Sequence, residues 1–573
     1  MKKRILSSLM ALIMAISLLP SSALAAGVDC SGGDNCEHEA AIGSTHYDTI
    51  GEALKAAGGE NGTGGEVKLL KDATLYGAAQ TSYNGGTINL TYIRKTLTLD
   101  LGDHTLTCGD PVGFAVNPGV EFTIQNGIYD HTAGADVYGK AIEGTKYSNP
   151  YCGCTIIIKK DAIVQAACDA IVADGSTTVE VYGEIKSGDV AVYGLGPTNK
   201  ITLDGAKITA GGKAVRQDAY DKTYSNGLDP STITINNSSI QSNDMAVYID
   251  SNQGVANGLH TLNVTDSQIS GLFGIIVMGT DVTISGEQTE VTATGEDCYA
   301  LAVARQGEEQ TVGNVQITGG TFKGLVDKPW DGPATISITG GTFLNSDGSA
   351  NEDVKDYVQD GMTLDESGKV VISNDAVAVV DGVGYTDFQQ AIAAIKDDST
   401  MLIMPGNHDV TATRTEGTYG SCFIIDEDNV TIKAYDETKK PVLYGFTNKY
   451  SAGTGDENIN GQDTIYVSGE NVTLENLVIM PLGGYKGGDG NTYGTKTVEV
   501  TAGATGFEMT GCETTPNTYK KNDVALDNAE MTQSGNIHVS INDAAISGNS
   551  FGAGTTVSAG WKGSSAADTY SVD

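Results

Sequence analysis

The sequence predicts an all-β protein made of two tandem parallel β-helix solenoids, each of which begins with an amphipathic cap helix. Three observations predict this fold. A short apolar motif, which we call the phrase, recurs along the chain, and a second recurring motif, which we call the refrain, lies between its copies. One helical pattern occurs twice. A solenoid grows by stacking short repeats, so it can accommodate 573 residues without a single oversized core.

The recurring phrase is an apolar residue, any residue, an apolar residue and, after four more residues, another apolar residue. Its apolar-x-apolar part has the period of two that is typical of a strand with one buried face. Gly, Asn and Asp follow nearly every phrase, and these residues favour tight turns. Copies of the phrase begin at Leu99, Ile156, Ile201, Ile233, Leu262, Val315 and Ile336.

The second refrain is Ala followed by Val or Ile, and it lies between the copies of the phrase. Each repeat therefore holds two or three short strands, and a parallel β-helix stacks such strands so that like residues form ladders. A β-sandwich also has short strands, but its strands need not repeat one template. The refrain occurs at Ala115-Val116, Ala141-Ile142, Ala170-Ile171, Ala191-Val192, Ala214-Val215, Ala246-Val247 and Ala302-Val303.

The open end of a β-helix exposes strand edges that have to be covered, and a helical pattern occurs where a cover is needed. Thr49 and Glu52 have the spacing of a capping box, and an apolar stripe with helical spacing follows Thr49. Asp387 and Gln390 repeat this pattern and are also accompanied by an apolar stripe. The two patterns predict a first β-helix domain over 26–375 and a second over 376–573, each with its own cap helix.

Both ends of the chain carry further predictions. Residues 1–25 have the basic start, apolar run and Ala-Leu-Ala ending of a secretory signal peptide. We therefore expect a bacterial protein that is secreted or displayed on the cell surface, with no transmembrane segment after signal cleavage. The sequence ends at Asp573, a few coils into the second solenoid, which predicts a truncated sequence. The alternative is a partner that covers this end.

The charge balance limits the classes of partner. The net charge is −38, from 72 acidic and 34 basic residues. Nucleic acid is excluded, because binding to it depends on Lys and Arg that neutralise phosphates. Three consecutive carboxylates, Asp426, Glu427 and Asp428, provide oxygen atoms of the kind that Ca²⁺ prefers. A solvated turn in an acidic protein is the alternative for this triplet.

Cysteine and aromatic residues supply the remaining site predictions. Cys30 and Cys36 are close enough in sequence to form a disulfide at the mature N-terminus. Aromatic side chains on loops can stack on sugars, or they can pack against the outside of the coils. Six aromatic residues in such segments are therefore candidate glycan ligands: Tyr220, Tyr224, Trp330, Tyr485, Tyr493 and Trp561.

Several segments resemble large secreted surface proteins of Gram-positive anaerobes that carry right-handed, pectin-lyase-like β-helix regions. The resemblance rests on residues 36–54, 65–75 and 97–106 and on the Ile-Thr-Gly-Gly-Thr-Phe repeats at 317 and 338. It covers most of the mature chain and implies right-handed coils. Many members also carry a wall-sorting tail or surface-layer repeats, and this sequence has neither.

This fold hosts lyases, glycosidases and adhesins, so the resemblance alone does not assign an activity. The glycosidase signatures Asn-Thr-Asp, Gly-His-Gly and Arg-Ile-Lys do not occur, nor does the Arg-x-Pro-x-x-Arg segment of pectate lyases. We therefore expect an adhesin-like protein that binds glycans or cell-surface partners without catalysis. The alternatives are a polysaccharide lyase or glycosidase, and a passive stalk that presents a missing C-terminal region.

The position of any activity can also be predicted. Residues that fit the repeat template form the buried ladder, so we expect function where the repeat is interrupted. Interruptions occur at 217–230, 323–333, 344–368 and 481–495.

Overall fold

The structure is a computed structural model that divides the chain into two compact units. The first consists of Met1–Tyr357 with Leu364–Lys369, and the second of Val358–Thr363 with Val370–Asp573. The described residues are 37–77, 79–83, 86–133, 139–145, 147–148, 151–218, 229–250, 259–304, 313–329, 334–410, 423–445, 463–481, 496–517, 536–539, 544–552 and 557–559.

The first unit is a parallel β-helix, which confirms the predicted fold class. Most coils contribute three strands, and the strands stack in register on those of the neighbouring coils. We call the three stacks the first, second and third faces, in the order in which a coil passes through them. The first two faces belong to one 22-stranded sheet, because the long strands Leu97–Cys108 and Glu121–His131 run through both. The third face is an 11-stranded sheet.

The strands of the first unit have the following bounds. On the first face they are Gly65–Leu69, Leu97–Cys108, Glu121–His131, Thr155–Ile158, Thr178–Val181, Lys200–Asp204, Thr232–Asn236, His260–Thr265, Thr280–Ser285, Asn314–Ile317 and Thr335–Ile338. On the second face they are Ala73–Leu75, Ala162–Ala166, Glu184–Ser187, Lys207–Ala210, Ser239–Ser242, Gln268–Gly271, Glu290–Ala293, Thr321–Lys323 and Thr342–Leu344. On the third face they are Ala79–Tyr83, Gly86–Ile93, Val112–Val116, Lys140–Gly144, Asp169–Asp174, Val192–Leu195, Val215–Asp218, Met245–Asp250, Phe273–Met278, Tyr299–Ala304 and Leu325–Asp327.

The core of the first unit is built from the two sequence repeats. The phrase residues Ile201, Ile233 and Leu262 lie in register on consecutive coils of the first face, and all three are buried. The Ala-Val refrain forms the strands of the third face, where Val192 and Val215 are buried. Side chains alternate along a strand, so every second residue faces inward. Each coil therefore contributes apolar side chains to a continuous core.

A helix over Ile50–Gly58 lies where the capping-box pattern places it. The Thr49 hydroxyl accepts a hydrogen bond from the Glu52 amide at 3.3 Å, and a Glu39 carboxylate oxygen accepts one from the Ile50 amide at 2.9 Å. The apolar stripe of the helix is buried. An antiparallel hairpin, Ala40–Ile42 and Thr45–Tyr47, precedes the helix and pairs with the first-face strand Gly65–Leu69.

Replacing Thr49 by Ala is expected to destabilise the first unit by about 1 kcal/mol, because one amide of the first helical turn loses its acceptor. Urea unfolding followed by circular dichroism measures this difference. Thr74→Ala is the matched control, since Thr74 is an exposed strand residue, and it should change the free energy of unfolding by less than about 0.5 kcal/mol. Equal effects of the two substitutions would contradict the capping role.

The second unit repeats the architecture with three parallel stacks of strands, to which we apply the same face names. Its first face, extended by the antiparallel strands Ala378–Val380 and Val383–Tyr385, consists of Thr400–Ile403, Thr431–Ala434, Thr473–Glu475, Glu508–Thr510 and Ala545–Ser547. The second face consists of Asn407–Asp409, Val442–Tyr444, Val478–Ile479, Glu513–Thr514 and Ser550–Phe551. The third face consists of Phe423–Ile425, Ile465–Val467, Lys496–Val500, Asn536–Val539 and Val557–Ala559.

A helix over Phe388–Ala393 lies before the first coil of the second unit. The Asp387 carboxylate accepts a hydrogen bond from the Gln390 amide at 2.9 Å, and Phe388 and Ala391 are buried. The role of the two helices as covers for the β-helix ends stays a prediction. The remaining elements are the short strands Tyr147–Ser148, Tyr151–Cys152, Met362–Leu364 and Val370–Ile372 and the 3₁₀ helix Glu352–Tyr357. None of the helices in the described part of the chain is both long enough and apolar enough to cross a membrane.

Candidate functional site

Most of the site residues predicted from the sequence lie outside the described residues. This applies to the six aromatic candidates Tyr220, Tyr224, Trp330, Tyr485, Tyr493 and Trp561, to Cys30 and Cys36, and to the signal peptide over 1–25. These assignments stay predictions.

The carboxylate triplet lies at a corner of the second unit, where Asp428 contributes to the stacking of coils. An Asp428 carboxylate oxygen accepts a hydrogen bond from the Glu470 amide at 2.8 Å, and Asp397 accepts one from the Asp428 amide at 2.9 Å. A hydrogen bond with Asp397 also raises the pKa of Glu427 above its usual value. At least one carboxylate of the predicted calcium site is therefore engaged by the backbone of the next coil.

A ladder of hydrogen-bonded Asn and Asp side chains runs beside these carboxylates, and it explains why this corner of the coil is polar. The Asn429 side-chain amide donates to Asp398 at 2.9 Å, and the Asn471 amide donates to Asn429 at 2.9 Å. All three residues have a positive φ, which Asp and Asn tolerate better than other non-glycine residues. No cluster of three or more His, Cys, Asp or Glu side chains suited to a metal ion occurs in the described part of the chain. Calcium binding by Asp426, Glu427 and Asp428 stays a prediction.

The third face of the first unit brings together a group of polar and aromatic side chains that the sequence analysis did not identify. Tyr193, Arg216 and Tyr248 are in register on three consecutive coils, and each side chain is half-buried. The inward neighbours Val192, Val215 and Val247 are buried, so the alternation of the strand turns these three side chains outward. We call Tyr193, Arg216 and Tyr248 the aromatic–arginine ladder.

Arg216 is held in a fixed orientation at the centre of this ladder. Its guanidinium carbon lies 4.6 Å from the centroid of the Tyr193 ring, which is the geometry of a cation–π contact. Its Nε and Nη2 atoms donate to the two carboxylate oxygens of Asp218 at 2.9 and 2.6 Å. The hydrogen bonds with Asp218 raise the pKa of Arg216. The result is a bidentate ion pair whose planar cation covers an aromatic face.

Each tyrosine is hydrogen-bonded to a carboxylate, which lies on the next strand for Tyr193 and on the same strand for Tyr248. The Tyr193 hydroxyl donates to Asp218 at 2.7 Å, and the Tyr248 hydroxyl donates to Asp250 at 3.3 Å. Burial is the main cause that raises the pKa of Tyr193, and it raises the pKa of Tyr248 to about 12. Both phenols are therefore protonated at neutral pH, so they donate hydrogen bonds.

A row of carboxylates borders the ladder on one side. Asp218 and Asp250 are in register on adjacent coils, and neighbouring strands of a sheet lie about 4.8 Å apart. Asp174 occupies the same position two coils earlier, with Leu195 between it and Asp218.

On the other side of the ladder, the Lys213 ammonium lies 5.4 Å from the centroid of the Tyr248 ring and pairs with Asp244 at 2.8 Å. Aromatic faces, a planar cation and hydrogen-bond acceptors thus form one surface.

The sequence contains a signal for this surface, but the signal can be recognised only when the register of the strands is known. The residue directly after the Ala-Val refrain points outward, and in three consecutive copies it is Tyr193, Arg216 and Tyr248. Function was expected only where the repeat is interrupted, for example at 217–230. The ladder lies instead within the repeat, because an outward position of a regular strand can carry any side chain.

No protein-family model matches this chain, and neither a curated protein nor a solved structure matches it.

Proposed function

We propose that this chain is a secreted or cell-surface adhesin-like protein that binds glycans on the third face of its first unit without catalysis. The observation that carries the proposal is the aromatic–arginine ladder with its row of carboxylates. Export is supported by the signal-peptide pattern over 1–25. A cell-surface setting is supported by the resemblance to pectin-lyase-like surface proteins of Gram-positive anaerobes.

The ladder has the chemical groups that a protein surface needs to bind a sugar. Tyrosine rings offer large, rigid apolar surface at a low entropic cost, and sugar C–H faces can pack on such rings. Carboxylates at Asp218 and Asp250 accept hydrogen bonds from hydroxyl groups. The same groups recur from coil to coil, so the surface suits an extended chain more than a single small molecule.

Charge narrows the class of glycan. The protein carries a net charge of −38, and the ladder itself lies beside a row of carboxylates. The Asp218 carboxylate already pairs with the Arg216 guanidinium, which leaves that cation less available for an anionic ligand. We therefore expect neutral or amino-sugar polysaccharides to bind, and polymers of uronic acids to be repelled.

The spacing of Asp218 and Asp250 is the one observation that favours a glycosidase or lyase instead. Asp218 and Asp250 are in register on adjacent strands, which lie about 4.8 Å apart in a sheet, and paired-carboxylate hydrolysis uses carboxyl groups roughly 5–10 Å apart. A glycosidase also needs one carboxylic acid that keeps its proton until it protonates the leaving group. Asp218 accepts hydrogen bonds from Arg216 and Tyr193, so both of its carboxylate oxygens are already engaged by neighbouring side chains. Binding without catalysis is therefore the better-supported function.

Tyr248→Ala and Arg216→Ala are each expected to weaken glycan binding about tenfold, because each removes part of the contact surface. Isothermal titration against a panel of neutral and amino-sugar polysaccharides measures the loss, with polygalacturonate as the anionic comparison. Tyr435→Ala is the matched control. Tyr435 is 47 % exposed in the second unit and lies off the third face, so this variant should bind like the wild type.

The same samples distinguish the alternatives. New reducing ends or unsaturated uronides after incubation would contradict the non-catalytic function and favour a polysaccharide lyase or glycosidase. A wild-type protein that binds no member of the panel would contradict glycan binding and favour the passive stalk.

A further inference from the structure

The outward column that contains the aromatic–arginine ladder continues toward the N-terminal end of the first unit. Consecutive strands of the third face place these residues in register, each with the next: Tyr92, Ala115, Glu143, Val172 and Tyr193. Tyr92 and Tyr193 are thus four strand spacings apart in the same sheet. Neighbouring strands lie about 4.8 Å apart, so the two tyrosines are separated by about 19 Å along the column.

Tyr92 makes the same kind of contact as Tyr193. The guanidinium carbon of Arg94 lies 4.8 Å from the centroid of the Tyr92 ring, compared with 4.6 Å for Arg216 and Tyr193. Both distances are typical of a cation–π contact. The three positions between the two tyrosines carry no aromatic side chain. The third face therefore has two separate aromatic–arginine contacts in one column.

Neighbouring elements hold Arg94 and Tyr92 in place. The Arg94 amide donates a hydrogen bond at 2.7 Å to the carbonyl oxygen of Gly58, the last residue of the helix Ile50–Gly58. The Arg94 Nη1 atom donates to a carboxylate oxygen of Glu60 at 2.8 Å. Tyr92 packs against three buried apolar residues: Leu90, Val112 and Ala115. Groups that are held in place before binding lose little conformational entropy when a ligand arrives.

Both side chains are still accessible to a ligand. Tyr92 is half-buried, and the side chain of Arg94 is 35 % exposed. The tyrosine ring offers apolar surface to a sugar C–H face, and the guanidinium and the Glu60 carboxylate offer hydrogen-bond donors and acceptors to hydroxyl groups. The charges of Arg94 and Glu60 cancel each other, which suits a neutral sugar.

We propose that Tyr92 and Arg94 form a second glycan subsite, through which the first unit binds long neutral polysaccharides in preference to short oligosaccharides. This inference rests on the proposed glycan binding at the aromatic–arginine ladder. A polymer bound at the ladder reaches the second subsite intramolecularly, so its overall affinity exceeds the affinity for either subsite alone. A fragment shorter than about 19 Å contacts one subsite at a time and lacks this increase.

Isothermal titration with the full chain tests the second subsite. The probes are each neutral polysaccharide of the panel that the wild type binds and size-fractionated fragments of the same polysaccharide. Tyr92→Ala is expected to weaken binding of the intact polymer at least about tenfold, because the intramolecular contact is lost. Fragments shorter than about 19 Å should keep their affinity for the ladder within about twofold.

Two further variants complete the test. Tyr92→Phe keeps the aromatic ring and should bind the polymer like the wild type. Tyr182→Ala is the matched control, because the Lys159 ammonium lies 5.6 Å from the centroid of the Tyr182 ring. Tyr182 directly follows the first-face strand Thr178–Val181, so it lies off the column and its loss should leave the affinity for polymer and fragments unchanged.

The outcomes separate the second subsite from the proposed function. Fragment binding that is retained in Tyr92→Ala shows that the first unit of this variant is folded. Wild-type affinity of Tyr92→Ala for the polymer, together with a loss in Tyr248→Ala, would overturn the second subsite and leave the ladder as a glycan site. Equal losses for polymer and fragments in Tyr92→Ala would also overturn it. A wild type that binds no polysaccharide of the panel would overturn both proposals.

Discussion

Replacing Phe322 by Ala is expected to destabilise the first unit by about 3–5 kcal/mol, the largest effect that we predict for a single substitution. Phe322 and Phe343 are fully buried and lie in register on adjacent coils of the second face. Their rings stack with centroids 5.0 Å apart and planes inclined by 7°. Removing one ring leaves a cavity beside the other, because coils that are hydrogen-bonded on both sides cannot collapse into it.

Urea unfolding followed by circular dichroism measures this loss. Phe322→Leu is the matched comparison, since it keeps most of the apolar volume, and it should cost less than half as much as Phe322→Ala. A double-mutant cycle of Phe322→Leu with Phe343→Leu should yield a coupling energy of about 0.5–1.5 kcal/mol from the stacked rings. A Phe322→Ala variant within 1 kcal/mol of the wild type would contradict the packing of this core.

The first unit is also expected to lose about 3 kcal/mol of stability between pH 6.5 and pH 4 because of His260. His260 is fully buried, and its Nδ1 atom accepts a hydrogen bond from the Ser231 amide at 2.9 Å. Burial lowers the pKa of His260 to about 4. The unfolded chain takes up a proton near pH 6.5, whereas the folded chain takes it up only near pH 4. Stability therefore falls as the pH falls through this window and is fully present above it.

The His260→Gln variant tests this pH dependence, because an amide can accept the Ser231 hydrogen bond without titrating. Urea midpoints are compared between pH 7.5 and pH 4, and the difference between the wild type and the variant isolates His260. This subtraction is needed because burial also lowers the pKa values of His131 and His408 and raises that of Asp169 to about 6.

A His260→Gln variant with the same slope as the wild type would show that the buried imidazole does not account for the loss.

The residues that face the core, and the positions where the helices begin, were predicted well from the sequence. Ile201, Ile233 and Leu262 form a buried ladder as the repeated phrase requires, and the helices begin after Thr49 and Asp387, where the capping patterns place them. These features are predictable because they depend on local spacing. A period of two buries alternate residues, and a side-chain oxygen three residues before an amide caps a helix.

The candidate site was not predicted because its residues are distant in sequence. Tyr193 and Asp218 are 25 residues apart, and Lys213 and Asp244 are 31 residues apart. Which residues become neighbours depends on the length of every turn and insertion between two strands. A shift of one residue in the register of a strand would turn all its side chains to the other side of the sheet.

The sequence alone determined the fold class, because a repeated apolar template can bury its residues only by stacking like on like. It also sets the net charge of −38, and its first 25 residues predict export. Only the tertiary structure decided which outward residues meet: Arg216 lies between Tyr193 and Tyr248, and Lys213 lies beside Tyr248. The physical reason is that burial of apolar side chains constrains the inward positions, whereas the outward positions acquire chemistry only when the register places them on adjacent coils.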